Sequence, residues 1–217
     1  MIIIDNNNNS MNTTILNKYF KFSPYQYEKM DQLFDLYSFW NSKVNLISRK
    51  DFYQFYERHV LHSLAICKVF SFKSQTKIMD LGTGGGFPGI PLAIMFPDVS
   101  FYLVDSIAKK IQVVNKIVSD LELKNVIVIN DRAENIDDQF DFVICRAVAK
   151  LESLVAWRMN KISIQHNHEF QNGLICLKGG NLSAEKTNMH YKLTEYLISD
   201  FFEEDFFVEK KILYLEK

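Results

Sequence analysis

The chain has 217 residues, 47% hydrophobic and 24% charged, which suffices for one large domain with an extension and a well-filled core. No apolar run approaches the ~20 residues of a membrane span. With 25 Lys+Arg against 26 Asp+Glu the net charge is −1, which excludes a globally basic nucleic-acid binder and leaves any such contact to a local patch.

The start, Met1-Ile2-Ile3-Ile4 before Asp5 and four asparagines, lacks the basic residues and the ~7–15-residue apolar stretch of a secretory leader. A cytoplasmic protein is expected. Residues 1–22 read as a disordered or loosely ordered lead. Ser23-Pro24-Tyr25-Gln26 then predicts a helix start, with Ser23 as cap, Pro24 at the first helical position and Gln26 closing a capping box. Leu33, Leu36, Tyr37, Trp40 and Val44 follow at helical spacing. A second helix is predicted over Glu57–Phe70, with Val60, Leu61, Leu64 and Ala65 inward. Residues 23–76 thus form an N-terminal helical extension.

From Lys77 short β-rich runs alternate with longer amphipathic stretches, the mark of a parallel sheet wrapped by helices. The predicted strands are Lys77–Leu81, Ser100–Val104, Val126–Asn130, Asp141–Cys145 and Gly173–Leu177. Helices are predicted at Gly89–Met95, Ile107–Leu121, Leu151–Met159 and Ala184–Ser199. Phe201–Val208 and Lys211–Glu216 leave no room for a helix between them, so they should pair antiparallel. Residues 77–217 make the main α/β domain, and its plan resembles the class I, Rossmann-like methyltransferases. Cys67, Cys145 and Cys176 each sit in an apolar run without CxxC spacing and read as buried reduced thiols.

The richest signal is Asp80-Leu81-Gly82-Thr83-Gly84-Gly85-Gly86-Phe87-Pro88-Gly89, directly after the first strand and opening a helix. Glycines there allow a tight turn and close approach of a ligand, and the N–H groups of a helix start favour a negative group. A dinucleotide site wants GxGxxG from the strand end. Begun at Gly82 that pattern fails, because Phe87 stands at the third glycine. Gly82, Gly84 and Gly86 behind Asp80 give DxGxGxG instead, a spacing that suits S-adenosylmethionine, which has no pyrophosphate to cradle. Asp105 ends the second strand, where a carboxylate accepts bonds from ribose hydroxyls. Asp131-Arg132-Ala133-Glu134 falls after the third strand, where an adenine loop belongs.

From about Tyr37 to Gly180 the chain resembles the RsmG (GidB) family of 16S rRNA methyltransferases. The resemblance rests on Trp40 to Ser48 (WNSKVNLIS), Glu57 to Ser63 (ERHVLHS) and Asp80 to Leu92, with its Phe87-Pro88-Gly89-Ile90-Pro91 continuation. Val104-Asp105-Ser106, Lys109-Lys110, Arg132-Ala133-Glu134, Cys145-Arg146-Ala147 and Leu177-Lys178-Gly179 complete it. It implies methyl transfer from S-adenosylmethionine to N7 of a guanine in the decoding-centre (530) loop of 16S rRNA, position 527 in customary rRNA numbering. The partner would be the small ribosomal subunit or an assembly intermediate, met by a monomer. Matching positions imply cofactor contacts at Gly82, Phe87, Ala133, Glu134 and Arg146; Gly84, Gly86 and Asp105 join them from the loop argument. Cys145 stands where the family usually has Ser, and Arg158 to Gln171 is polar where the family tends to end a helix with Pro and Gly.

N7 carries an exposed lone pair and no proton, so orientation and water exclusion are the expected contributions and no general base is needed. Arg146 is the residue expected to work in the active site, its guanidinium able to bond and stack. Cys145 lacks the preceding Pro of cytosine C5 enzymes and reads as structural. Arg49, Lys50, Arg58, Lys109, Lys110, Lys150 and Lys178 are candidates for a phosphate-binding rim, and an aromatic such as Phe87 would stack on a flipped-out guanine. His59, His62, His166 and His168 lack a third ligand at a standard spacing, so no metal is expected. The near-neutral charge leaves open a methyltransferase of small molecules or proteins, or a non-catalytic nucleotide- or RNA-binding module.

Overall fold

Alternation of side chains across a strand decides how this sheet is buried on both faces. The structure is a computed structural model that describes residues 14–146, 154, 161–180 and 192–217. The chain opens with α1 (Thr14–Tyr19) and α2 (Pro24–Asn41), followed by a single helical turn, α3 (Arg49–Phe52). A π-helical segment, Tyr56–Leu61, runs through His62–Leu64 into a 3-10 turn, Ala65–Lys68. Then come β1 (Lys77–Leu81), α4 (Gly89–Met95), β2 (Ser100–Asp105), α5 (Ala108–Asp120) and β3 (Val126–Asn130). The remaining strands are β4 (Phe142–Arg146), β5 (Gly173–Gly179), β6 (Leu193–Leu197) and β7 (Lys210–Glu216).

The seven strands lie in the order β3-β2-β1-β4-β5-β7-β6. The first five are parallel, with Lys77 opposite Ser100 and Ile78 opposite Phe142, while β7 runs antiparallel to both β5 and β6. This is the mostly parallel sheet with an antiparallel end that the sequence predicts. Ile78, Phe101, Phe142, Ile144 and Ile175 face the N-terminal helices, α4 and α5. Met79, Val104, Val143, Cys145 and Leu174 face the other way, toward Ala133, Phe140, Leu154 and Ile162. The N-terminal helices share the first of these cores, through Leu16, Met30, Leu33 and Tyr37.

The capping box is present as predicted: the Gln26 N–H donates to Ser23 Oγ at 3.3 Å, and the Ser23 N–H donates to Gln26 Oε1 at 2.8 Å. Three expectations need correction. Within the supposed loose lead, α1 is a helix with Leu16 buried, anchored by Lys18 and Tyr19 on Glu203 and Glu204. Phe201–Val208 is not a strand but a turn with a 3-10 segment at Asp205–Phe207. Its apolar residues do not alternate; Phe202 and Phe207 go inward together, Phe202 against Tyr19 and Phe207 against His62. The antiparallel partner is β6, inside the predicted helix Ala184–Ser199. Leu193, Tyr196 and Leu197 fit helical spacing, yet Thr194 and Tyr196 fit a pleated edge equally, and pairing with β7 decides. Leu151–Met159 falls almost wholly outside the described residues, as do Lys150 and 184–191 of that second helix.

Candidate active site

The strand β1 delivers the glycine loop at its C-terminal end, the usual ligand edge of an open α/β sheet. Gly82, Gly84 and Gly86 have φ of +63°, +57° and +93°, a region costly for any residue with a Cβ. The loop closes on itself: the Gly86 and Phe87 N–H groups both donate to the Thr83 carbonyl, at 2.9 and 3.0 Å. Buried Asp80 ties its two ends, Oδ2 accepting from the Thr83 hydroxyl at 2.6 Å and from the Gly89 N–H at 2.9 Å. The Tyr37 hydroxyl of α2 donates to the Gly85 carbonyl at 2.6 Å, so the helical extension braces the loop from outside.

Beside the loop a cleft of about 390 Å³ opens over the ends of β1, β2 and β3, within the range of small-molecule sites. Gly82, Asp105, Ile107, Ala133 and Glu134 are in its lining. The Asp105 carboxylate accepts from the Gly84 N–H at 2.9 Å and from the Ile107 N–H at 2.8 Å. Both oxygens keep further acceptor capacity. Half-exposed Ile107 offers an apolar edge.

Of the predicted cofactor residues, Gly82, Asp105, Ala133 and Glu134 therefore meet in one cleft. Gly84 shapes it by its bond to Asp105. Gly86 faces the interior: a Cβ there would lie 2.6 Å from Ile90 Cδ1 and 2.9 Å from the Tyr37 hydroxyl. Gly86→Ala should therefore lower stability by about 3 kcal/mol, from left-handed strain plus overpacking. A loss of unfolding free energy in urea of less than a fifth of that would refute the packing role.

Phe87 departs from expectation. Its ring is 2% exposed, 4.9 Å from the Tyr37 ring and 5.3 Å from that of His59. It is a floor, with the Arg146 guanidinium 5.0 Å above its centroid, and has no face left for a flipped base.

Arg146 ends β4, on the other side of β1 from the cleft. Asp80 pairs in register with Ile144, so Arg146, two residues on, leaves the sheet on the same face as Asp80. Its NH2 donates to His59 Nδ1 at 3.1 Å, and its NH1 lies 3.4 Å from the Arg58 carbonyl. Burial lowers the Arg146 pKa to about 10, so it stays charged at neutral pH. Burial, then the Arg146 charge, lowers His59 to about 3, so its ring is neutral.

The described candidates for a cationic rim stand in several places. Lys109 and Lys110 open α5 just past Ile107, Lys109 exposed, and Lys50 is exposed on α3. Arg58 is committed internally, paired with Asp51 at 2.8 Å and placed 5.4 Å from the Phe206 ring. Lys178 stands near the end of β5. The Arg49 side chain lies outside the described residues. Cys145 is fully buried, its Sγ 3.2 Å from that of Cys176, and that contact with burial raises its pKa well above the usual thiol range. Such a thiol is no nucleophile at neutral pH. Among the described residues no three His, Cys, Asp or Glu side chains gather as a metal site would require. Sequence reasoning passed over His59 as a packing histidine; its only signal was adjacency to Arg58 in the Glu57–Ser63 run.

The sequence profile described as rRNA small subunit methyltransferase G (GidB) matches residues 26–202. The chain is 46% identical over 202 residues to the ribosomal RNA small subunit methyltransferase G of Cytophaga hutchinsonii, covering 93% of this chain and 98% of that protein. It is 50% identical over 199 residues to the protein of the same name from Phocaeicola vulgatus, covering 91% and 95%. Among solved structures it resembles a SAM dependent methyltransferase from Aquifex aeolicus, with TM-score 0.53 at 15% identity over 70% of this chain and 88% of that one. It also resembles a precorrin-6y C5,15-methyltransferase from Geobacter metallireducens, with TM-score 0.55 at 11% identity over 80% and 91%. At such identities the two structures speak for the fold alone.

Proposed function

Because the chain belongs to the rRNA small subunit methyltransferase G (GidB) family, we propose that it methylates N7 of a guanine in the decoding-centre loop of 16S rRNA, using S-adenosylmethionine. The protein is an S-adenosylmethionine-dependent rRNA methyltransferase, and the finer assignment of atom and loop is the proposal. One observation carries the cofactor reading: the open cleft at the ends of β1–β3 presents Gly82 and the Asp105 carboxylate together. Its size and lining fit an adenosyl group, with Asp105 to hold the ribose hydroxyls and Ala133 and Glu134 to flank the base. Bound there, the cofactor supplies an electrophilic methyl group on a sulfonium.

The groups on the β4 side support an acceptor that needs no deprotonation. Arg146 is a cation, neutral His59 gives its Nδ1 to that cation, and Cys145 is a buried thiol. A charged Arg146 and a protonated Cys145 cannot take a proton, and N7 has none to give. The chain's work is then orientation and exclusion of water. With a net charge of −1, RNA contact falls to a local rim, and Lys109 and Lys110 beside the cleft are the proposed members. Few neutralised phosphates mean a shallow salt dependence of RNA binding.

Deleting the gene and mapping 7-methylguanine by chemical cleavage of the small-subunit rRNA tests the substrate. Cleavage in the decoding-centre loop should vanish in the deletion strain and return with the wild-type gene. Undiminished cleavage there would end the assignment of atom and loop and leave the family untouched.

A further inference from the structure

Away from the cleft, the helical extension holds a second hollow of about 190 Å³, with Ile15, Phe34, Tyr53, Phe55, Tyr56 and Glu57 in its lining. That is room for one long side chain, below the usual range of small-molecule sites. Phe55 forms its inner wall, 1% exposed, and the same ring meets those of Tyr37 and Phe87 at 5.2 and 5.9 Å. Tyr53 stands at its mouth, 91% exposed, between α3 and the π-helical segment. A large ring held in water beside an apolar hollow gains by being covered.

The charge around this hollow is acidic. Glu57 is half-buried in the lining, and burial, then Glu204, raises its pKa against the opposing charge of Arg58. Asp31 stands one turn before Phe34 on α2, and its carbonyl and that of Met30 accept from the Tyr56 hydroxyl at 3.1 and 2.9 Å. Burial, then Asp35 one turn further along the same helix face, raises the pKa of Asp31. Among the described residues neither Asp31 nor Glu57 has an ion-pair partner. Partly desolvated like charges repel a polyanion and favour a cation.

We propose that the hollow receives an arginine or lysine side chain from a protein bound to the small-subunit RNA. This rests on the small-subunit substrate of the proposed function and not on the atom methylated. The stem of such a side chain would lie against Phe34 and Phe55 while its charged head stays at the rim, between Glu57 and Asp31. The Tyr53 ring would cover it by a cation–π contact. RNA itself is the wrong occupant, because its phosphates would meet Asp31, Asp35 and Glu57. A protein that sits on RNA presents Lys and Arg, since neutralising phosphates is what holds it there. A partner of the required chemistry therefore arrives with the substrate. It adds affinity to a chain whose net charge of −1 supplies little toward RNA alone.

The test compares binding of the whole protein to small-subunit particles that keep their proteins and to the same RNA stripped of protein. Wild type should prefer the particles. Tyr53→Ser, Glu57→Gln and Asp31→Asn should each weaken particle binding roughly 5- to 30-fold and leave stripped RNA unchanged. The melting temperature of Tyr53→Ser and its affinity for S-adenosylhomocysteine should match wild type, which reports that the fold and the cleft are intact. Equal losses on both substrates overturn the proposal, because the hollow then meets RNA. No loss on either, or a wild-type protein that binds both alike, overturns it as well. So does self-association of the free protein that Tyr53→Ser abolishes, the occupant then being a second copy. If wild type binds neither substrate, the small-subunit reading falls and this inference with it, before any variant is compared.

Discussion

Arg146→Ala should lower single-turnover methyl transfer to small-subunit rRNA by roughly 10²–10³-fold while leaving the melting temperature unchanged or slightly raised. The two halves of that expectation have one cause. Arg146 is largely buried, its pKa lowered to about 10 by desolvation, and among the described residues it has no ion-pair partner. Removing a desolvated cation that has no ion pair among the described residues relieves a cost that offsets the loss of its bond to His59 and its contact with Phe87. What disappears is the donor set that holds His59 Nδ1 and stands over Phe87. Arg146→Lys should recover less than a tenth of the lost rate, because an ammonium cannot reproduce the planar fork that meets His59 and the Arg58 carbonyl at once. Rates measured at saturating donor, beside thermal melts, decide it. A rate within threefold of wild type, or a melting point lowered by ten degrees or more, would make Arg146 a structural residue.

The parts of this fold that were readable in the chain are those where local chemistry and tertiary context agree. Lys77–Leu81 and Val126–Asn130 are short β-rich runs between turn signals, and both are strands with the predicted bounds. Ser23 and Gln26 make the capping box their identities imply. The glycine loop was legible because positive φ at Gly82, Gly84 and Gly86 leaves few alternatives. Where two periods fit the same letters, sequence could not choose. Leu193–Leu197 became a strand because β7 offered an unpaired edge, and Phe202 and Phe207 went under the helices because His62 and Tyr19 were there. The site divides the same way. Gly82, Asp105, Ala133 and Glu134 follow strand ends, which sequence locates. The pairing of Arg146 with His59 spans 87 residues, and no local pattern announces a contact between a strand end and a π-helical turn.

Asp80 supplies the other large effect, a pH dependence opposite in sign to that of an ion-paired acid. Burial raises its pKa from 3.8 to about 7, against the opposing bonds from Thr83 and Gly89. Between those values the native state holds a proton that the unfolded chain has released, so stability falls as pH rises from about 4 to about 7 and is flat in this group beyond. At ~1.4 kcal/mol per pH unit the gap corresponds to about 4 kcal/mol. Asp80→Asn imitates the protonated acid: its amide oxygen can accept from Thr83 and Gly89 as Oδ2 does. Its urea stability relative to wild type should therefore grow from pH 5 to pH 8, because the opposite rise contributed by neutral His59 up to about pH 6.5 is common to both proteins. A difference between the two proteins that stays constant over that interval would show Asp80 to be ionised in the native state.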